Sequence, residues 1–386
     1  MLTVAVTSLF TILLTLFLLS LRKVITRYEQ LPVVEDIGTA LPLVSIIVPM
    51  RNEERNARGC IESLVSQNYP NFEVIAVDDR SKDNTLNILK EFASGHNNLK
   101  VIEGDTVPEG WVGKNYAVWQ GVKRTRGDWL LFIDADTTSD PCLLSTVIKY
   151  VEENKIDMLS ISPFHVMGTF WERVIQPIII SSIYNALPQE KVNDPKSKIA
   201  AANGQFILIR RSIYETLGGH SAVKNKIVED FALANLVKSH GYRLRVKRGI
   251  KLIRTRMYTK FSEIWEGWTK NLFFGLGKKW GRLLFSLVIL LSWGIIPPIL
   301  FVWSLVNVFF KGVYTPASLV ILAESIFLMA LIIQNAWQAT RFFSIPRYYS
   351  LTVPLGVAVY IAIIIASTYK VVSGAGVIWK ERVYRF

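Results

Sequence analysis

The sequence predicts an α/β domain with a mixed, mainly parallel sheet, combined with transmembrane helices. Short β-type runs alternate with helical stretches from residue 43 onward, and long uncharged apolar runs lie at both ends of the chain. The composition agrees, because 51% of the 386 residues are hydrophobic and 19% are charged, which is too apolar for an ordinary soluble domain. Two cysteines exclude a disulfide scaffold and a four-cysteine zinc site.

The first element is an uncharged run over residues 2–21, which is long enough for a helix to cross a bilayer. No basic residue precedes it and no small-residue cleavage site follows it, which argues against a secretory signal peptide. Arg22, Lys23 and Arg27 follow the run, and such charges favour the cytoplasmic side. We therefore expect an anchor over residues 1–22 with its N terminus outside, followed by a linker over residues 23–42.

Residues 43–255 carry the strand–helix alternation and are long enough for one domain with its own core. Strands are predicted at 43–50, 72–79, 99–103, 129–136, 157–163 and 201–210. Helices are predicted at 57–67, 83–94, 114–124, 141–153 and 229–240. Such alternation gives parallel sheets with both faces covered, which bind ligands at the carboxyl ends of their strands. The apolar segment 168–187 is either a buried helix or a further segment that touches the membrane.

The net charge of +13 is concentrated in one stretch, because residues 238–282 hold 13 basic and two acidic side chains. Aromatic residues are interleaved with these charges, and an apolar run follows directly. A basic, aromatic segment beside a membrane span is typical of a surface that faces anionic lipid. We assign residues 256–282 to interfacial helices and favour lipid over the rival interpretation, a nucleic-acid surface that binds RNA or DNA in a salt-dependent way.

Three further apolar runs, at 283–310, 317–333 and 351–369, predict transmembrane segments within residues 283–373, before a basic tail at 374–386. Pro297–Pro298 lies at the centre of the first run. Three crossings place the basic tail outside, against the positive-inside tendency, whereas a re-entrant hairpin at these prolines returns the tail to the cytoplasm. Both alternatives stay open on the sequence.

Carboxylates follow the predicted strands at two points. Asp134 and Asp136 come at the end of the fourth strand, where residues two apart share a face, and a pair of acids there suits a divalent cation that bridges diphosphate oxygens. A pair of this kind also arises by chance. Asp78 and Asp79 end the second strand and either form a turn whose Ser81 caps the next helix or accept hydrogen bonds from a nucleobase or ribose.

Four other residues have both an ordinary and a functional interpretation. Glu53 precedes a helix and is either an acid of the helix start or a ligand of a sugar edge. Lys114 follows a glycine at a helix start and is either a solvated lysine or a phosphate contact. Glu229 and Asp230 open a helix, where acids usually complement the dipole, but a carboxylate there can also take a proton from an acceptor hydroxyl.

In their order and spacing these motifs resemble the inverting family 2 glycosyltransferases, which have the GT-A fold, a Rossmann-like α/β arrangement. The resemblance covers roughly residues 43–255 and is carried by VSIIVPMRNEE (44–54), VDDRSKDNT (77–85), GK (113–114), LFIDADT (131–137) and ED (229–230). Further strings are similar to the membrane-bound branch that glucosylates carotenoid acids and related lipids: GWVGKNYAVWQG (110–121), ANGQFILIRR (202–211), RMY (256–258) and GWTKN (267–271).

The resemblance implies a role for each matching residue. It implies that the nucleotide is held by Pro49, Arg51, Glu53, Asp78, Asp79, Lys114 and Asp134. It implies that Asp136, with Asp134, binds Mg²⁺ or Mn²⁺ on the diphosphate. It implies that Asp230 and Glu229 are catalytic, with Asp230 as the general base. On the acceptor side we expect Trp111, Gln205, His220 and Trp268.

The resulting expectation is an enzyme of the cell membrane, multi-pass, with a cytoplasmic catalytic domain, that moves one sugar, favoured to be glucose, from a UDP-sugar to a lipid such as a carotenoid acid. Other lipids of the same class are polyprenyl phosphate, diacylglycerol and hopanoids. The motif Gln-x-x-Arg-Trp of polymer-forming relatives is missing from the zone after Asp230, and 338–342 imitates it only between membrane runs. The alternative of another class is a catalytically silent regulator that binds nucleotide-sugar. No nucleic acid partner is expected.

Overall fold

The computed structural model describes residues 2–26, 28–34, 41–380 and 382–384. It divides the chain into two compact units. The sheet unit contains Tyr28–Val166 and Leu187–Met257, and the helical unit contains Met1–Arg27, Met167–Ala186 and Tyr258–Phe386. Part of the linker expected at 23–42 and the end of the tail expected at 374–386 lie outside the described residues.

The strands are β1 (Val44–Met50), β2 (Phe72–Asp78), β3 (Leu99–Glu103), β4 (Trp129–Ile133), β5 (Thr137–Ser139), β6 (Met158–Ser162), β7 (Phe164–His165), β8 (Phe206–Arg210), β9 (Leu244–Arg248), β10 (Ile253–Thr255), β11 (Val377–Trp379) and β12 (Arg382–Tyr384). The helices are α1 (Leu2–Thr26), α2 (Glu54–Val65), α3 (Thr85–Gly95), α4 (Gly113–Val122), α5 (Leu143–Glu153), α6 (Phe170–Ala186), α7 (Gln189–Asn193), α8 (Arg211–Thr216), α9 (Gly219–Ala222), α10 (Glu229–Ser239), α11 (Phe261–Gly275), α12 (Trp280–Leu290), α13 (Ile296–Leu305), α14 (Pro316–Phe342) and α15 (Val353–Val372).

The main sheet has seven strands in the order β3-β2-β1-β4-β8-β6-β9. Only β8 runs antiparallel to its neighbours, and every other pairing in this sheet is parallel. A small second sheet has the order β5-β10-β7. The predicted α/β fold with a mainly parallel sheet is therefore confirmed, and the carboxyl ends of β1, β2 and β4 meet at one edge.

Both faces of the main sheet are buried, which explains why its strands are continuously apolar. Val44, Ile46 and Val48 of β1 face one core, which also contains apolar residues of α2, α3 and α5. Ile47 faces the other core, which contains residues of α4 and α10. Successive side chains of a strand point to opposite faces, so a strand between two helical layers needs apolar residues at every position.

Among the described residues, the helical unit contains four helices that are long and apolar enough, by length and composition, to cross a membrane: Leu2–Leu21, Trp280–Phe310, Pro316–Phe342 and Arg347–Val372. Trp280–Phe310 stays helical past Pro297, since a π-helical turn at Leu291–Ile295 precedes α13 and the two prolines lie in its first turn. Proline removes an N–H donor from a helical run, and a π-helical turn is a place where a helix accommodates such an interruption. A continuous helix favours a crossing over the re-entrant hairpin.

The segment 168–187, expected to be either a buried helix or a segment that touches the membrane, forms α6. This helix belongs to the helical unit, where it contacts α15. Gly356 of α15 lies so close to α6 that an added Cβ would be 2.4 Å from the carbonyl oxygen of Val174. The two helices therefore pack closely at this glycine, and contact of α6 with a membrane stays a prediction.

Candidate active site

The candidate site lies at the edge of the main sheet where β1, β2 and β4 end. These strands deliver Arg51, Asp78 and Asp134 to one edge, because all three run in parallel. β8 runs in the opposite direction and begins at the same edge, since Phe206 pairs with Ile133. Gly204, just before β8, therefore comes beside the end of β4.

On the predicted nucleotide side, the loops after β1 and β2 are bonded to each other. Nη1 of Arg51 donates to the carbonyl oxygens of Asp79 (2.7 Å) and Arg80 (2.9 Å), and the N–H of Asp79 donates to the carbonyl oxygen of Met50 (2.7 Å). The N–H of Glu53 donates to Thr85 Oγ1 (2.8 Å). Arg51 therefore holds the loop that carries Asp79, and its own contact with a nucleotide stays a prediction.

The carboxylate of Asp78 is turned into this loop. The side chains of Asp78 and Asp79 are 3% and 4% exposed. Oδ2 of Asp78 accepts a hydrogen bond from the N–H of Ser81 (3.1 Å), whereas its buried Oδ1 has no hydrogen-bond partner among the residues that the structure describes. Buried polar atoms are nearly always paired, so this oxygen is suited to an N–H or O–H of a ligand. Ser81 does not cap α3, which begins after Asn84.

Two other predicted nucleotide residues flank this loop. Pro49 is the partly exposed residue before the end of β1 and pairs with Val77 of β2. Oε2 of Glu53 accepts a hydrogen bond from Asn56 Nδ2 (2.7 Å) at the start of α2. Both residues lie at the predicted edge of the sheet.

Lys114 joins two of the predicted acids. Its Nζ lies 2.7 Å from Asp134 Oδ1 and 2.8 Å from Glu229 Oε1. Burial lowers the pKa of Lys114, but the two carboxylates outweigh burial and hold this pKa well above its usual value. For Glu229, burial by itself would raise the pKa. The attraction of the Lys114 ammonium is stronger than this effect, so the pKa of Glu229 is lowered. Three separate elements, α4, β4 and α10, meet through this lysine.

Asp230 lies beside this ion pair without sharing it. Its Oδ2 accepts a hydrogen bond from the N–H of Gly204 (2.9 Å) and its Oδ1 accepts one from the N–H of Phe231 (2.8 Å). Burial, together with the charge of neighbouring Glu229, raises the pKa of Asp230 to about 7. A carboxylate whose pKa lies near neutral pH is suited to exchange a proton.

Gly204 is a site residue that the sequence did not single out. A Cβ at this position would lie 3.3 Å from both Asp230 Oδ2 and Lys114 Nζ, closer than ordinary van der Waals contact. Residues 201–210 were predicted as one strand, but the turn from Asn203 to Phe206 delays the start of β8 and lets the backbone of Gly204 reach Asp230. The signal available in the sequence was the Asn-Gly pair, which marks turns.

The strand predicted over 129–136 is too long, because β4 ends at Ile133. Asp134 and Asp136 therefore lie on a turn, and the strand geometry expected to align them is wrong. The turn is fixed by Thr137 Oγ1, which donates to the carbonyl oxygen of Asp134 (2.8 Å). No group of three or more His, Cys, Asp or Glu side chains suited to a metal is found in the described part of the chain. Two carboxylates are nevertheless a fitting partial set for Mg²⁺ or Mn²⁺, which commonly take further oxygens from substrate phosphates and water.

The four residues expected on the acceptor side lie in different surroundings. Trp111 is partly exposed and packs in a cluster with Tyr116 and Trp119, at 5.3 Å between ring centroids in each case. Gln205 is 5% exposed and donates to Thr255 Oγ1 (2.9 Å). Trp268 belongs to α11 of the helical unit and is 6% exposed. Their contact with an acceptor stays a prediction.

His220 is enclosed by aromatic residues. It is 3% exposed, its Nδ1 lies 2.9 Å from the hydroxyl oxygen of Tyr214, and its ring packs edge-on against Phe132. Burial lowers the pKa of His220 to about 4. The imidazole is therefore neutral at cellular pH, and its acceptor role also stays a prediction.

Comparison with known proteins identifies the domain that carries this site. Residues 45–218 match the family model described as glycosyl transferase family 2. The chain carries a family 2 glycosyltransferase domain. The resemblance drawn from the motifs is thereby confirmed, and the matched range includes the edge residues from Arg51 to Gly204.

Individual proteins agree with this family. The chain is 27% identical over 254 residues to the 4,4'-diaponeurosporenoate glycosyltransferase of Staphylococcus aureus strain USA300, and equally to that of strain MRSA252. The aligned part is 64% of this chain and 65% of the relative, so the chain spans about two thirds of the length of these relatives. The mannosyltransferase PcManGT from Pyrobaculum calidifontis, solved in complex with GDP-Man and Mn²⁺, superposes with a TM-score of 0.54 at 17% identity and covers 95% of each chain. This similarity shows the GT-A fold.

Proposed function

We propose that this chain is a membrane-bound inverting glycosyltransferase that transfers a single sugar, glucose in our proposal, from a UDP-sugar to a lipid acceptor. The observation that carries the proposal is the grouping of Asp134, Lys114, Glu229 and Asp230 at the carboxyl edge of the sheet. A donor-binding acid, a cation and a carboxylate of raised pKa are the parts that sugar transfer from a diphosphate needs.

The donor is proposed to bind along the edge formed by β1, β2 and β4. The buried Oδ1 of Asp78 accepts a hydrogen bond from the base or the ribose, in a loop that Arg51 holds in place. Asp134 and Asp136 would hold a divalent cation, Mg²⁺ or Mn²⁺, which would supply positive charge to the diphosphate. Lys114 lies 2.7 Å from Asp134 and adds positive charge on the same side.

The base is proposed to be Asp230. Its two oxygens are oriented by the N–H groups of Gly204 and Phe231, so the carboxylate is held before an acceptor arrives. It takes the proton of an acceptor hydroxyl as the oxygen attacks the anomeric carbon from the face opposite the nucleotide, and the configuration inverts. A positioned base contributes roughly 10²–10⁴ in rate.

The acceptor is proposed to be a lipid, on three grounds. The described part of the chain has four helices suited to crossing a membrane, a basic and aromatic segment lies immediately before the second of them, and the matched relatives are named for a carotenoid acid. A carboxylic acid is already ionised near neutrality and needs little help from a base, so acid and alcohol acceptors will depend on Asp230 to different degrees.

The deciding experiment is a screen of lipid acceptors with radiolabelled UDP-glucose on membranes that contain the full chain, followed by organic extraction. We expect label in the organic phase for a carotenoid acid or another lipid of the panel, and none with an Asp136→Ala variant expressed at the same level. Label transferred only to water, or equal labelling by the variant, contradicts the proposal. A chain that binds UDP-glucose but labels no lipid in the panel is the regulator that the sequence left as an alternative.

A further inference from the structure

Asn115, next to Lys114 in the first turn of α4, binds a loop that leads to the predicted base. The side chain is 0% exposed. Its Nδ2 donates to the carbonyl oxygens of Val223 (3.0 Å), Lys224 (3.2 Å) and Lys226 (3.0 Å). An amide nitrogen has only two hydrogens, so three acceptors in range mean that one side chain gathers a whole turn of backbone.

The same loop has one further bond to the start of α4. The N–H of Val112 donates to the carbonyl oxygen of Lys224 (2.8 Å). Within the 223–228 loop itself, the N–H of Lys226 donates to the carbonyl oxygen of Val223 (2.9 Å). The side chains of residues 224–226 are exposed, whereas those of Val223 and Ile227 on either side are buried, so the bonds to α4 hold the backbone of the exposed part between two packed residues.

The loop ends at the residues of the site. Val228 is the N-cap of α10, and Glu229 and Asp230 form its first turn. Two consecutive residues of α4 thus hold one chain segment twice: Asn115 holds its backbone at 223–226, and Lys114 holds the carboxylate of Glu229 at 2.8 Å. Asp230, whose Oδ2 accepts a hydrogen bond from the N–H of Gly204, directly follows Glu229 in this segment.

The donor half of the Asn115 amide is the half that the structure uses. Its Oδ1 is buried and has no hydrogen-bond partner within the described ranges. An apolar residue of similar size would avoid that unpaired oxygen, which normally costs stability. The unpaired oxygen of Asn115 lowers stability, while its nitrogen lies within reach of three carbonyl oxygens. We therefore attribute the presence of asparagine here to the backbone that its nitrogen binds.

We propose that Asn115 is a positioning residue for sugar transfer: it fixes the 223–228 loop so that Asp230 stays in its productive place. The inference rests on the proposed function, since it takes Asp230 as the base. Misplacement of a reacting group by about 1 Å costs roughly 10²-fold in rate, so release of the loop slows transfer while the nucleotide edge, built from β1 and β2, keeps its affinity for UDP.

The test compares Asn115→Ala with a matched control in the full-length protein. Asn193 is also a side-chain amide bonded to backbone: its Nδ2 donates to the carbonyl oxygen of Val246 (3.1 Å) and its Oδ1 accepts from the N–H of Val246 (2.7 Å), at the far edge strand β9. Asn193→Ala removes a similar interaction away from the site. Asn115→Ser, which retains one donor, is the second variant in case Asn115→Ala fails to fold.

The first readout is hydrogen exchange of the amides in residues 223–231, which is independent of activity. We expect exchange to be about tenfold faster in Asn115→Ala, less affected in Asn115→Ser, and unchanged in Asn193→Ala. The second readout is kinetic: kcat with a hydroxyl acceptor falls roughly 10–10²-fold in Asn115→Ala, while the Kd for UDP stays within about twofold. The acid limb of the pH profile also moves to lower pH, because a released Asp230 is better hydrated.

Unchanged exchange at 223–231 in both Asn115 variants, or an equal increase in Asn193→Ala, overturns the proposal whatever the turnover. Faster exchange with a normal kcat and an unmoved pH profile also overturns it, because the loop is then held without consequence for transfer. The base assignment is tested separately with Asp230→Asn. A normal rate in that variant contradicts the proposed function even where the exchange result supports a bond between Asn115 and the loop.

Discussion

At the scale of single residues, one ammonium near three carboxylates divides the acids into different roles. Lys114 contacts Asp134 and Glu229 but is not bonded to Asp230 in the described residues. The ammonium of Lys114 outweighs burial and lowers the pKa of Glu229, whereas burial and the charge of Glu229 raise the pKa of Asp230 to about 7. Titratable groups whose surroundings push their pKa values apart are assigned different acid–base roles. The charged Glu229 lies 2.8 Å from Lys114, and this division supports our proposal that Asp230 is the group that exchanges a proton.

The first prediction concerns Asp230→Asn. The amide oxygen still accepts from the N–H of Gly204, but basicity is lost, so UDP affinity stays near wild type while transfer to a hydroxyl falls roughly 10²–10⁴-fold. Transfer to a carboxylic acid falls much less. Asp157→Asn is the control, because Asp157 Oδ2 likewise accepts a backbone N–H, that of Arg243 (2.7 Å). Steady-state kinetics with both acceptor types decide, and a normal rate with a hydroxyl would rule out Asp230 as the base.

The raised pKa of Asp230 predicts two opposite pH trends. As the base must be ionised, kcat/KM with a hydroxyl acceptor rises with pH and levels off above about 7. The folded state keeps the proton to higher pH than the unfolded chain, whose aspartate titrates near 3.9. The free energy of unfolding therefore decreases as pH rises from about 4 to 7 on account of this residue, and Asp230→Asn lacks that part of the decrease. Denaturant titrations of both proteins at several pH values measure the difference.

The third prediction concerns the metal. Asp136→Ala leaves Asp134 as the remaining acid of the pair, so Mn²⁺ binding in the presence of UDP weakens and transfer is lost, because an unscreened diphosphate leaves slowly. Asp140→Asn is the control on the same chain segment, where Asp140 Oδ1 accepts from the N–H of Cys142 (2.9 Å). Electron paramagnetic resonance counts bound Mn²⁺ and scintillation counts product. Turnover that survives a chelator would show that transfer needs no metal.

At the scale of elements, the amino-terminal ends of β1 and β4, on the side of the sheet away from the site, are joined by a close approach of their backbones. A Cβ on Gly127, just before β4, would lie 2.6 Å from both the backbone nitrogen and Oγ of Ser45 in β1. Ser45 Oγ also accepts from the N–H of Gly127 (2.8 Å) and donates to Glu73 at the start of β2 (2.8 Å). The start of β4 is thus fixed against β1 through a contact that only glycine allows.

We therefore expect Gly127→Ala to lower the free energy of unfolding by about 1–3 kcal/mol, because an extra methyl group in a packed contact forces the backbone apart. Gly95→Ala is the control, since nothing lies within 4 Å of a Cβ there, and we expect no loss. Chemical denaturation monitored by fluorescence measures both. Equal stability of the two variants would mean that the start of β4 moves away without cost.

The agreement between sequence and structure differs among elements for physical reasons. β1, β2 and β3 were predicted to within one residue at each end, because buried apolar runs between turn residues leave little choice of boundary. β8 was begun five residues too early, since the Asn-Gly turn follows apolar residues that look like strand. The predicted site residues at strand ends lie close together as expected, because neighbouring parallel strands end at the same side of the sheet.

Other features could not be read from the chain. The 223–228 loop contains Lys-Asn-Lys and looks like solvent-exposed chain, and its bond to Asn115 links residues 108 positions or more apart. The sharing of Lys114 between Asp134 and Glu229 likewise depends on how α4 and α10 pack on the sheet. Periodicity and propensity carry no information about such distant pairs.

At the scale of the whole molecule, the chain passes between its two units several times. The helical unit is assembled from three separate segments of the chain. One of them, Met167–Ala186, lies in the sequence between the two segments that form the sheet unit. The predicted domain 43–255 runs through this segment, and its boundaries stay a prediction. Within the helical unit, the hydroxyl of Ser8 in α1 donates to Oε1 of Glu324 in α14, and Ser304 and Ser325 bond at 3.0 Å between α13 and α14. Side-chain hydrogen bonds of this kind join particular pairs of helices, whereas contacts between apolar surfaces are less selective about which helices pack together.

The last prediction concerns the basic residues at the start of α12. Lys278, Lys279 and Arg282 are exposed and surround Trp280, which is 62% exposed at the beginning of an apolar helix. Charges next to a membrane attract anionic lipid by about 1 kcal/mol each. Replacing all three by Gln should therefore raise KM for a lipid acceptor in anionic vesicles, with little change in neutral vesicles and no change in UDP affinity. The control replaces three exposed lysines of the sheet unit by Gln: Lys90, Lys155 and Lys196. Equal loss of UDP affinity and of lipid transfer in the first variant would mean that these charges act on the nucleotide and not on the membrane.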